Sequence, residues 1–145
     1  MLRITLAIAI GLGACHSAMM NDTEAMRGYI EDTRRETNRH LDAARAARTM
    51  EDMRAEMNRH RDGMTPMMSD IDMAMEGMAR HCGGDGLDDM RAMHGDLDGE
   101  MAQHASAIDA ITNPAAGVVE TERHATTMMA TMEGMDGAME QMRCR

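Results

Sequence analysis

Residues 100–124 read EMAQHASAIDAITNPAAGVVETERH. Two Glu-x-x-x-His units, Glu100–His104 and Glu120–His124, flank a break at Ile111-Thr112-Asn113-Pro114. Asn is a favoured N-cap, and proline suits the first helical position because its missing N–H has no partner there. The stretch therefore predicts a helix, a tight turn and a second helix. Residues 36–60, ETNRHLDAARAARTMEDMRAEMNRH, repeat the pattern 64 positions earlier, with Glu36–His40 and Glu56–His60. Thr49 stands near the matching break, with Asp52 three residues on, which is a capping-box spacing.

The same offset relates Met26 to Met90, Met64 to Met128, Met68 to Met132, Met75 to Met139 and Met78 to Met142. Cys82 falls within two residues of the match to Cys144. So many matches in register indicate a duplication. Gly83-Gly84-Asp85-Gly86 separates the halves, about 20–82 and 84–145. Helices are expected at about 20–48, 50–82, 86–112 and 114–143. Apolar and histidine positions recur every three or four residues, as in Met57, His60, Met64, Met68, Ile71, Met75 and Met78, which is the pattern of a buried helix face. Short connections make neighbours antiparallel. The expected fold is all-α: an up-down-up-down antiparallel four-helix bundle built from two tandem helical hairpins. Pro66 disagrees with the pattern, and a kink or restart of the second helix is expected there.

The 145 residues include 22 Met, one Tyr, no Phe and no Trp. Every basic residue is Arg, and the net charge is −10. Such a chain repels nucleic acid and attracts cations. Methionine is a flexible filler that specifies packing poorly, so this excess points to a role beyond packing.

The chain opens with Arg3, an apolar run from Ile4 to Leu12, and Leu12-Gly13-Ala14-Cys15. The run is too short to span a bilayer, which takes about 20 apolar residues, and fits a signal-peptide core. Leu-Gly-Ala-Cys resembles the lipobox of bacterial lipoproteins. That resemblance implies cleavage after residue 14, diacylation of Cys15 and attachment to a lipid bilayer. Residues 15–19 would form a lipidated N-terminus and short tether, and 20–145 the bundle. His16, rather than Asp, implies the outer membrane, facing the periplasm. Without Arg3 the mature net charge becomes −11.

Counting from the turns puts His40, His60, His104 and His124 at one height in the bundle. Glu36, Glu56, Glu100 and Glu120 each lie one turn before a histidine. One such pair is ordinary helix surface, but four converging imidazoles need partners, because each buried alone costs about 1–3 kcal/mol. A metal removes that cost, and so does a closed Glu–His hydrogen-bond layer. Ferritin-like di-metal bundles use related spacings, with Glu-x-x-His on two helices, so a di-metal centre is a further possibility.

Met64, Met68, Met75 and Met78 should face Met128, Met132, Met135, Met139 and Met142. Soft thioethers favour Cu(I), and the layer of imidazoles suits Cu(II), zinc or a metal pair. Cys82 and Cys144 end helices at the same pole. An oxidising compartment favours a disulfide between them, and a Cu(I) thiolate pair near His81 is the alternative. The leading expectation is a lipid-anchored periplasmic protein that sequesters or buffers copper. It looks like Met/His-rich and four-helix copper-storage proteins in general design, although it lacks a Cys-lined core. The alternatives are a structural or partner-binding envelope lipoprotein without metal, and a di-metal oxidoreductase.

Overall fold

A computed structural model describes the backbone of residues 9–144 and the side chains of 22–84 and 86–142. Cys15 and residues 1–14, on which the expected cleavage and lipidation fall, lie outside the side chains described. Helix α1 runs Ala9–Ala46, α2 Met50–Ala79, α3 Asp85–Ala110 and α4 Pro114–Gln141, with two-residue strands β1 (Cys82–Gly83) and β2 (Arg143–Cys144). The helices form a four-helix bundle in which α1 packs on α2 and α4, and α3 on α2 and α4. Among the described residues no helix is long and apolar enough to cross a membrane.

The turns form as their chemistry dictates. The Thr49 hydroxyl accepts from the Asp52 N–H at 3.1 Å, and the Asp52 carboxylate accepts from the Thr49 N–H at 3.0 Å. Asn113 Oδ1 accepts from the Ala116 N–H at 2.9 Å, with Pro114 opening α4. Gly84 precedes α3 at φ 102°, a conformation that a side chain would strain.

Two expectations are amended. No restart occurs at Pro66, and α2 runs through it as one helix. Met64, Met68 and Ile71 on either side of it are buried in the core, and this packing offsets the hydrogen bond that proline cannot donate. Helices α2 and α4 stop at Ala79 and Gln141, short of the expected 82 and 143, because the chain next turns into the β1–β2 bridge. There Cys82 pairs with Cys144 and Gly83 with Arg143, antiparallel. Helix α1 is described from Ala9 onward.

The core is divided in two. Toward the 47–49 and 111–113 turns, Ala44, Met53, Met57 and Ile108 form a small cluster. Toward the Cys82 end lies the larger one, with Met26, Met64, Met68, Met75, Met78, Met90, Met128, Met132, Met135 and Met139 beside Ile30, Ile71, Leu87 and Leu97. Met101 packs against both clusters. The division between them is polar.

Candidate metal centre

Each helix contributes one imidazole to that division. His40, His60, His104 and His124 are all buried, at 0–1% exposure. Rings within a hairpin lie parallel: His40 on His60 with centroids 4.0 Å apart, and His104 on His124 at 4.1 Å. The two stacks meet edge-on at 78–80°. Across the bundle each ring nitrogen faces its own counterpart in the other repeat. His40 Nε2 is 3.1 Å from His104 Nε2, and His60 Nε2 is 3.4 Å from His124 Nε2. A pseudo-two-fold axis thus passes through the middle of the layer.

The four glutamates stand behind the rings. Each Oε1 accepts from an Nδ1 on the other helix of its hairpin: Glu56 from His40 at 3.0 Å, Glu36 from His60 at 3.2 Å, Glu120 from His104 at 3.2 Å and Glu100 from His124 at 2.9 Å. The pairing is reciprocal between helices, not between a glutamate and the histidine one turn later. Among the described residues no buried side-chain nitrogen or oxygen lacks a partner.

Burial, reinforced by the neighbouring rings, depresses the imidazoles to about 3 at His40 and about 2 at His60. Burial and His104 bring His124 to about 4, against the opposing pull of Glu100. Burial also lowers His104, with Glu120 opposing. At neutral pH the rings are uncharged. Burial raises Glu36, and it lifts Glu56 to about 7, with Arg39 pulling both down. Glu100 lies low because the Arg123 and His124 hydrogen bonds outweigh its burial. Glu120 is lowered first by Arg123.

These contacts make two chains across the bundle, Glu56–His40–His104–Glu120 and Glu36–His60–His124–Glu100. Each chain has three links, and two neutral imidazoles carry only two hydrogens. When every Nδ1–H donates to an ionised carboxylate, the central link sets two Nε2 lone pairs against each other. Each chain is then one cation short. A proton on Glu56 in one chain and on Glu36 in the other, the two carboxyls that burial raises, closes the layer with every ring still neutral, and one divalent metal on the axis carries the same charge as the two protons.

Geometry bears on both solutions. Metal–imidazole bonds of about 2.0–2.1 Å set the edge of a tetrahedron at about 3.3 Å, close to the two cross-axis Nε2 spacings. Among the described residues, however, no three His, Cys, Asp or Glu side chains are already gathered as a ligand set. The stacked rings of each hairpin would have to tilt together to enclose an ion. The carboxylates sit on the Nδ1 side, where they orient rings rather than bridge two metals.

The expected thioethers are where the periodicity put them. Met64, Met68, Met75, Met78, Met128, Met132, Met135 and Met139 share the larger cluster, and Met142 packs against it partly buried. Cys82 is disulfide-bonded, with Cys144 opposite it in the β1–β2 register. A fifth buried imidazole, His94, donates from Nε2 to the Met68 carbonyl at 3.2 Å.

Sequence reasoning passed over the arginines. Arg59 and Arg123, counterparts in the repeat, each bridge the two carboxylates of one hairpin. Their signal was present: Arg precedes the histidine at Arg39-His40, Arg59-His60 and Arg123-His124, and Gln103 takes that place before His104.

Compared with known proteins, the chain matches no family model, no curated protein and no solved structure.

Proposed function

We propose that the protein sequesters metal in the bacterial cell envelope, anchored through acylated Cys15 at the outer membrane, with copper as its principal cargo. One observation carries the metal reading: four uncharged imidazoles converge by Nε2 on an axis, each backed by a carboxylate at Nδ1. A carboxylate behind the ring fixes the tautomer and raises ligand basicity. Four such rings leave no open coordination position, so the centre holds an ion rather than activating a substrate on it. This disfavours the di-metal oxidoreductase.

The thioether cluster supports copper. Burying a methionine gains about 1.5–3 kcal/mol but loses about 1.5–2 kcal/mol of rotamer freedom, against about 0.5–1 for leucine. A core of methionine is a poor choice for stability alone. Thioethers bind soft Cu(I) without losing a proton, and here they lie next to imidazoles suited to Cu(II) or zinc.

The second reading is a metal-free envelope lipoprotein in which shared protons close the layer. It is favoured by the full satisfaction of buried polar groups among the described residues. Anaerobic Cu(I) titration and aerobic zinc titration of the mature protein, each with elemental analysis, separate the two. Retention of stoichiometric metal against a competing chelator supports sequestration. Its loss to a weak chelator in both titrations leaves the structural layer.

A further inference from the structure

Arg59 and Arg123 grip the layer from outside. Arg59 donates from Nε to Glu56 Oε2 at 2.6 Å, from Nη2 to Glu56 Oε1, and from Nη1 to Glu36 Oε1 at 2.9 Å. Arg123 donates from Nε to Glu120 Oε2 at 2.9 Å and from Nη2 to Glu120 Oε1 at 2.7 Å. It also reaches Glu100 Oε1 from Nη2 at 2.7 Å and Glu100 Oε2 from Nη1 at 3.1 Å. In all four glutamates, the oxygen that receives an imidazole Nδ1–H is also held by one of these two guanidiniums.

We propose that Arg59 and Arg123 are positioning residues of the metal centre, each fixing the orientation and tautomer of both imidazoles in its own hairpin by pinning the two carboxylates behind them. The consequence for metal binding rests on the function proposed above. A glutamate carboxylate turns easily about its last torsion, which is broad. A planar guanidinium bonded to two carboxylates removes that freedom, and an ammonium has no comparable fork. Arg39 differs, because it donates only to Glu36 Oε2, the oxygen turned away from the ring. Its counterpart is Gln103, so the second hairpin builds the same Glu–His contacts without it.

The test uses the mature chain and four variants: Arg59→Gln, Arg123→Gln, Arg59→Lys and, as a charge-matched control, Arg34→Gln. Arg34 pairs with Asp136 on α4 and does not touch the layer glutamates or histidines. The readouts are ring-nitrogen NMR of the metal-free protein at pH 8 and Co(II) titration followed by visible absorption. The parent and Arg34→Gln should hold all four rings as the Nδ1–H tautomer. Arg59→Gln should disturb His40 and His60 alone, and Arg123→Gln His104 and His124 alone. Each should weaken Co(II) binding about 10–100-fold, and Arg59→Lys should recover little of it. The conservative lysine variant also keeps the assignment open to test if a glutamine variant fails to fold. Unchanged ring signals in both glutamine variants, or full recovery with lysine, would overturn the proposal. If the parent binds no Co(II), the metal reading falls, and the ring signals still decide the role of the arginines.

Discussion

Met53 packs against Gly117, its own counterpart in the second repeat. A Cβ placed on Gly117 would lie 2.9 Å from Met53 Cε and 3.2 Å from Cγ. The duplicated helices have filled one shared space from one side only. Gly117→Met alone should overpack the site and cost about 1–3 kcal/mol. Met53→Gly alone should cost more, about 3–5 kcal/mol, because a buried side chain is lost and a glycine enters α2. The double exchange should restore much of the loss by mirroring the native packing. Urea unfolding of the four proteins checks this, and simple additivity of the two penalties would show that the halves do not share the space.

The two kinds of ligand should separate by metal. Changing Met64, Met68, Met128 and Met132 together to Leu keeps volume and apolarity, at under about 1.5 kcal/mol each. Cu(I) capacity should fall while zinc and Cu(II) binding remain. Changing His40, His60, His104 and His124 to Gln should do the reverse. Chelator competition on both variants is the measurement. Parental Cu(I) capacity in the leucine variant would reduce the thioether cluster to core.

Acid should destabilise the metal-free protein. The folded-state values of the four imidazoles are lowered, to about 2 at His60, 3 at His40 and 4 at His124. As pH falls below about 6.5, the unfolded chain takes up protons first, at up to about 1.4 kcal/mol per unit for each ring. Their contribution is complete above about pH 6.5 and is lost as pH falls toward the folded values. Glu56, raised to about 7, and Glu36, also raised, work in the opposite sense and favour the folded state as pH falls toward the ordinary carboxyl range. Four imidazoles outweigh these two carboxyls, so stability should fall by at least about 2 kcal/mol between pH 7 and pH 5. Urea midpoints that stay level or rise on acidification would contradict a layer of neutral buried rings.

The β1–β2 bridge should carry a Cys82–Cys144 disulfide. Closing a loop of about 60 residues stabilises by about 4 kcal/mol in the chain-entropy model. A non-reducing peptide map should link the two cysteines, and Cys82→Ser with Cys144→Ser should lower stability by that order. Two free thiols in air-handled protein would decide against it.

The helices and the height of the four histidines were legible because both depend on spacing along one chain. Nine residues before a turn and eleven after it fix a layer. The crossing of Glu56 to His40 and Glu36 to His60 was not legible, since side-chain partners across a hairpin depend on how the two helices rotate against each other. Arg59 and Arg123 were hidden for a related reason: an arginine one residue before a histidine reads as solvated surface until both carboxylates have been placed. The β1–β2 bridge escaped because two residues carry no periodicity. That α2 does not restart at Pro66 was not legible, because local preference was weighed without the burial of Met64, Met68 and Ile71 around it.

The meeting of His40 with His104, and of His60 with His124, has a historical consequence. Neither hairpin owns the centre, because each brings one half of every cross-axis contact. Two separate copies of a single hairpin, associating about a true two-fold axis, would assemble the same layer from identical parts. Joining two such copies in one polypeptide frees them from identity. Gln103 opposite Arg39 and Gly117 opposite Met53 are divergences that a symmetric pair of subunits, with every substitution entering twice, could not have made.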